Sequence, residues 1–337
     1  MKNVMGIAFV FIGLVIGAGF ASGREILQYF CIPSQTDLTG TVIAAISFGA
    51  ICYITMHLAQ KCNAPDFESF TKAVAGRAST AVKVFMLLFM FCGFFIMLSA
   101  CGVLAKEVLG LSPIWGILLL GVVCFAVFIF ETKGLVALNA VLVPLMIGGM
   151  LFICLSSMLS AAPAFSSLDK ALTNPLTASL CYVSYNTVTA AAVLVPLSRS
   201  VGKKQILSAS AICGAVLGLL IYIAWLCMNM KFTSLVNTEM PLLVLASGNG
   251  IITKIIYTSV LFMALCTTAV SHGFGILSEF KFTKPSRRVT VAALLCLSAV
   301  PFAGLGFSDL VADIYSAFGY AGFLWTGALL WKFLKTR

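Results

Sequence analysis

Gly17-Ala18-Gly19-Phe20-Ala21-Ser22-Gly23-Arg24-Glu25 interrupts the first apolar run of this chain with three glycines and then sets two opposite charges at membrane depth. Glycine is the poorest helix former after proline. Residues 4–16 read as one helix and residues 24–30 as a second, short one, so the glycines between them leave backbone N–H and C=O groups that nothing in a hydrocarbon layer would satisfy. Irregular backbone at that depth is tolerated where it is buried in protein or lines a cavity. Broken helices of this kind mark substrate and ion sites in secondary transporters.

Outward from that stretch, composition gives the broad class. The chain of 337 residues is 61% hydrophobic and 9% charged, far from a soluble domain. Apolar runs of spanning length read at about 4–30, 38–60, 82–106, 113–130, 136–159, 172–198, 205–230, 251–278, 289–306 and 308–334, ten in all. The expected fold is an all-α polytopic membrane protein of one transmembrane domain over 1–337, which leaves no room for a separate soluble domain. The first run is too long for a signal-peptide core and continues into a helix-competent segment, so it reads as a retained span. The twelve cysteines are scattered with no Cys-x-x-Cys pattern and behave as small apolar residues, giving no disulfide framework or metal set.

The net charge of +10 is explained by topology, not by nucleic acid. With a cytoplasmic N-terminus, sixteen of the 21 Lys and Arg fall on the inner side; only Arg24, Lys106, Lys170, Lys231 and Lys254 fall outside. That bias puts both termini in the cytoplasm of a bacterial-type plasma membrane.

An internal repeat supplies a second signal. The starts of spans one, two and three recur in spans six, seven and eight at an offset close to 168. Five crossings per unit make the second copy enter from the opposite face, an inverted 5+5 repeat of about 1–165 and 166–337. The sixth span answers the glycine cluster with a polar island, Tyr182-Val183-Ser184-Tyr185-Asn186-Thr187-Val188-Thr189, bracketed by Pro175 and Pro196. Either the island is a second discontinuous helix, or its Ser and Thr bond back to their own turns while Asn186 joins neighbouring helices.

The run Gly17 to Glu25 resembles the signature of the YkvI-type amino acid permease family, related to the amino acid, polyamine and organocation superfamily, and the likeness extends over the whole chain. The resemblance implies a LeuT-like fold with helices one and six unwound around a central site. There, backbone N–H groups of Gly17, Ala18, Gly19, Phe20, Ala21, Ser22 and Gly23 receive the carboxylate of an amino acid, and Tyr182, Ser184, Tyr185 and Asn186 contact the remainder. The sixth span departs from the pattern in having no glycine at its island.

The same resemblance implies a sodium ion as coupling ion. In sodium-coupled members of the fold, carbonyls just before the first break and an Ala-x-x-Thr-Ser/Thr stretch in the eighth helix hold it. Gly13, Ile16, Ala264, Thr267 and Thr268 match those positions. Back-bonding of the threonines within their helix is the plainer alternative. A proton-coupled relative would offer a lysine in the fifth span, and residues 136–159 hold none.

Charges inside spans ask for partners. Arg24 pairs with Asp309 and Asp313 of the tenth span as an outer gate, or else bonds nearby or snorkels to water, while Glu25 caps the positive end of the short helix. Among the third-span aromatics Phe91, Phe94 and Phe95, Phe94 is the candidate for the cavity wall. His57 and His272 lack partners at ligand spacing and read as structural. No paired aspartates, zinc motif or Ser-His arrangement supports an enzyme. The function expected is symport of a small amino acid or related solute with sodium by alternating access. The alternative is a solute-binding membrane receptor of the germinant-sensor type.

Overall fold

The computed structural model describes residues 2–31, 38–130, 135–159, 174–280 and 285–336. The repeat boundary at 165–166 and the charge-count residues Lys133, Lys170, Lys281, Lys284 and Arg337 lie outside them. Among the described residues the chain is helical without strands. The order is α1 (Lys2–Val15), α2 (Ala18–Ser22), α3 (Arg24–Tyr29), α4 (Thr39–Lys61), α5 (Phe67–Ala75), α6 (Ser79–Leu109), α7 (Pro113–Phe130) and α8 (Leu135–Leu159), then α9 (Pro175–Ser198), α10 (Lys203–Met230), α11 (Phe232–Leu235), α12 (Pro241–Gly248), α13 (Ile251–Ser278), α14 (Pro285–Ala303), α15 (Phe307–Leu310) and α16 (Ser316–Lys335). A π-helical turn, Val311–Tyr315, joins the last two.

Six helical stretches among the described residues are long and apolar enough to cross a bilayer, and shorter apolar helices cover Val4–Val15, Pro113–Ile129 and Val143–Leu159. Large apolar side chains are exposed around the bundle, among them Ile46, Val122, Leu219, Ile256, Leu297 and Leu324. A hydrocarbon solvent accepts such a belt where water would not.

Helix packing follows small residues. The α4–α10 contact is extensive because Gly49, Gly214 and Gly218 let the backbones approach: a methyl group at Gly214 would stand 2.6 Å from the Ala45 carbonyl oxygen, and one at Gly49 3.1 Å from that of Ser210. In lipid, where apolar side chains gain little by leaving their solvent, such close contact is a main source of helix association. Helix α9 lies centrally, against α4, α16 and α1, and α13 packs on α6, α8 and α2. These contacts bring the first-span break, α9 and α13 to one place.

At one end of the bundle, α5 closes an apolar plug. Its N-terminus is fixed by a capping box in which Ser69 N–H donates to the Asp66 carboxylate at 2.8 Å and Asp66 N–H donates to Ser69 Oγ at 3.3 Å. Phe70 is buried with Leu58, Val188, Val195 and Leu329, and Trp325 of α16 meets the rings of Phe67 and Phe70. Gln60 ties the end of α4 to the α9–α10 turn, donating to the carbonyls of Ser198 and Val201 at 2.7 Å each.

Candidate functional site

The site is built around the glycines of the first span. Helix α1 ends at Val15; the Gly17 N–H turns to the Val15 carbonyl at 3.0 Å, which takes from the Gly13 carbonyl its expected helical donor. Gly17 is extended (φ −90°, ψ −170°), and α2 restarts at Ala18. Gly23 then adopts φ +83° between α2 and α3, a conformation open to glycine and strained for other L-residues. The position also has no room: a methyl group there would overlap Met228 of α10 and Leu242 of α12. Residues Ala18, Gly19, Phe20, Ala21 and Ser22 are all buried, with the Ser22 hydroxyl donating to the Gly19 carbonyl at 2.8 Å.

Helix α13 supports this segment at two points. Thr268 packs against Gly17, its Oγ1 3.7 Å from where a methyl group on Gly17 would stand. Tyr257 donates its hydroxyl to the Ala21 carbonyl at 2.5 Å. The segment is thus clasped from one side by a helix that also carries Ala264 and Thr267. Thr267 donates to the Ala264 carbonyl at 3.1 Å, and Ser271 to the Thr267 carbonyl at 2.7 Å, so both hydroxyls bond within the helix and leave their oxygen lone pairs available. Gly13, the remaining residue of the expected ion set, faces Val143 of α8.

On the other side stands α9, and here the structure corrects the sequence reading. Helix α9 runs unbroken from Pro175 to Ser198 through the polar island. The reason is local: Asn186 Nδ2 donates to the Tyr182 carbonyl at 2.9 Å and Thr187 Oγ1 to the Val183 carbonyl at 2.7 Å, and no glycine weakens the segment. Ser184 points away from the break, donating to the Gly319 carbonyl of α16 at 2.7 Å. Of the four island residues expected to touch a solute, Tyr182 and Tyr185 pack against Tyr29 of the first span.

They face Glu25. This carboxyl, expected to cap the positive end of α3, stands in the first turn of that helix, is 6% exposed and folds back over Gly19, where a Cβ would collide with it. The hydroxyls of Tyr182 and Tyr185 lie near it without closing a hydrogen bond of good geometry; both are buried and without a partner. Tyr29 and Tyr315 complete the surround, with ring centroids 5.5 Å between Tyr29 and Tyr182 and 5.0 Å between Tyr185 and Tyr315.

Phe94 is buried against Phe128 of α7, away from this cluster, and the α6 ring that joins it is Phe89, 5.8 Å from both Tyr185 and Tyr315. Five residues along a helix turn the side chain by about 140°, which moves Phe94 to another face. His272 lies against Gly93 and edge-on to Phe89.

Arg24 leaves the site in the opposite direction. Its guanidinium donates to the Thr238 carbonyl at 3.3 Å in the segment before α12, with Glu239 and Asp309 as its nearby acids. Glu239 in turn accepts from Ser308 N–H at 2.6 Å. Glu239 is therefore the member of this charged cluster that the sequence did not suggest; Asp313 is exposed on the π-turn and is not among the acids acting on Arg24. A cleft of ≈ 300 Å³ lies beside this cluster, lined among others by Lys106, Glu107, Thr238, Glu239 and Lys254.

No protein-family model matches the chain. It is 25% identical over 336 residues to the uncharacterized membrane protein YkvI of Bacillus subtilis (strain 168), covering 97% of this chain and 95% of YkvI. It is also 27% identical over 310 residues to the uncharacterized protein YyaD of the same strain, covering 91% and 90%. The chain is a homologue of YkvI. Among solved structures it superposes on MhsT in complex with L-phenylalanine with a TM-score of 0.67 at 14% identity, covering 94% of this chain and 86% of that one. A Na+-coupled sialic acid symporter gives 0.63 at 15% identity, covering 98% and 78%. The Eremococcus coleocola manganese transporter gives 0.62 at 15% identity, covering 97% and 78%. This YkvI homologue therefore has the fold of the LeuT-type transporters, and the solved proteins that share it are transporters, not enzymes. It is a multi-pass membrane protein.

Proposed function

We propose that this YkvI homologue is a secondary active transporter of ten spans in a 5+5 inverted repeat, moving a small amino acid or related solute together with sodium. The observation that carries the reading is the interrupted first span, with Gly17 against Thr268 of α13 and Tyr29 of α3 against Tyr182 and Tyr185 of α9. A backbone interruption at that depth is stable only where other groups meet it, and here those groups come from the second half of the chain. The pairing of α4 with α10 and of α6 with α13 supports the repeat, since each pair joins elements about 168 residues apart in sequence.

In this reading the carbonyls of Gly13, Ile16 and Ala264 and the hydroxyls of Thr267 and Thr268 hold sodium, tying the first span to α13. Solute enters from the Arg24 end, under the lid of Arg24, Glu239 and Asp309, and leaves past the α5 plug, with both termini in the cytoplasm. A divalent metal as cargo has less support: among the described residues no three His, Cys, Asp or Glu side chains converge. Reconstitution in proteoliposomes with an imposed sodium gradient tests the proposal. Sodium-dependent accumulation of a radiolabelled solute is expected. Saturable binding without accumulation assigns the protein to the receptor class, and accumulation indifferent to sodium removes the ion site.

A further inference from the structure

Glu25 buries a carboxyl with no cation among the described residues paired to it. The carboxyl is buried over Gly19, while its sequence neighbour Arg24 reaches the other way to Thr238. The ion pairs among the described residues, Lys72–Glu68 and Lys83–Glu279, do not involve it. An ionised carboxylate without a cation in a low-dielectric interior is strongly disfavoured, so Glu25 ionises there only with a cation beside it.

What surrounds the carboxyl fits an organic cation. Tyr29, Tyr182, Tyr185 and Tyr315 all lie near it, with Tyr182 and Tyr185 ring centroids 5.6 Å apart. Aromatic faces attract ammonium groups through the ring quadrupole. The two unpartnered phenol oxygens of Tyr182 and Tyr185 add acceptors for N–H groups. The same geometry opposes a free carboxylate on the solute. A solute carboxylate brought to the Gly19 backbone would meet the Glu25 carboxyl already occupying that place, and two carboxylates at contact repel.

Resting on the transport reading above, we propose that the solute is a small organic cation with no free carboxylate, held by the Glu25 carboxylate inside the Tyr29, Tyr182, Tyr185 and Tyr315 rings. Decarboxylated amino acids and quaternary amines are the chemical class, and the site discriminates against the parent zwitterions.

The test is ligand-induced thermal stabilisation of the purified full chain in sodium-containing detergent solution. The probes are ethylamine, 3-methylbutylamine, phenethylamine and choline, against alanine, leucine and phenylalanine, and against propionate, 4-methylpentanoate and 3-phenylpropionate. At least one amine is expected to raise Tm by about 2–4 °C, with no response to its zwitterionic or anionic counterpart and none in Glu25→Gln. Tyr185→Phe, which keeps the ring, should retain a weakened response and guards against a Glu25→Gln variant that fails to fold. The inference is overturned if every amine is silent, if zwitterions or carboxylates stabilise as well as amines, or if the amine response survives in Glu25→Gln. It is equally overturned if acidification alone, or sodium alone, reproduces the stabilisation, which would assign the carboxyl to a proton or to the ion. Flux separates the two proposals: amine binding with no flux removes the transport reading and leaves this one, whereas sodium-driven flux of a zwitterion retained in Glu25→Gln does the reverse.

Discussion

The Tyr257 hydroxyl donates to the Ala21 carbonyl across 2.5 Å, a side chain of α13 satisfying a backbone oxygen of the short helix α2. Because α2 has only five residues, its carbonyls depend on outside donors. Tyr257→Phe keeps the ring and removes the donor, leaving a buried acceptor unpaired at a cost of about 1–3 kcal/mol. A Tm lower by about 3–8 °C in detergent is expected. An unchanged Tm would mean that water or another donor replaces the phenol.

Thr268 tests the proposed ion site. Its hydroxyl lies beside Gly17, where α13 meets the break. Thr268→Ala removes one oxygen ligand, and the sodium concentration for half-maximal uptake should rise about tenfold, equivalent to about 1.4 kcal/mol. Thr268→Ser retains the oxygen and should restore most of the affinity. Sodium titration of uptake in proteoliposomes reads both.

How far the sequence disclosed this arrangement depended on whether the signal was local. Three glycines in nine residues announce the break, because glycine acts on its own backbone. The polar island of α9 misled for the same reason: Thr and Asn bonded to their own helix look in sequence like polar groups awaiting a ligand. Glu25 and Arg24 were legible as costly charges but not in direction. Adjacent helical residues diverge by about 100°, so one charge enters the site while the other joins the lid. Tyr257 left a readable trace, since it lies 4, 7 and 11 residues before Leu261, Ala264 and Thr268, on the helix face that meets the first span. Phe89 and Glu239 left none, for their roles come from packing between distant elements.

The α5 cap titrates in a defined direction. Hydrogen bonding from Ser69 holds the Asp66 carboxyl below the usual carboxylate range. A folded value below the unfolded one, about 3.9, means the cap stabilises fully above that value and its contribution fades as pH falls through the folded value. Asp66→Asn still accepts from Ser69 and does not titrate. Hydrogen exchange of α5 (Phe67–Ala75) should therefore speed up in the native protein relative to Asp66→Asn when pH is lowered below about 4, and match it near neutrality. Parallel behaviour of the two across the range would remove Asp66 from the plug.

Arg24 holds the lid through a single guanidinium bond to Thr238 and the nearby charges of Glu239 and Asp309. These acids belong to different elements, the segment before α12 and α15, so one cation joins both to the first span. Arg24→Gln keeps a donor for Thr238 and loses the charge that attracts the acids. The partly buried setting makes this coupling worth more than a surface pair, about 1–2 kcal/mol, so the open population should grow about five- to thirtyfold. A cysteine placed at Ser22, in a background freed of the native cysteines, reads the change. It should react faster with a membrane-impermeant maleimide in the Arg24→Gln protein than in the parent, and Asp309→Asn should give a smaller acceleration because Glu239 remains. Equal rates in all three would show that the α12 segment closes over the site by packing alone.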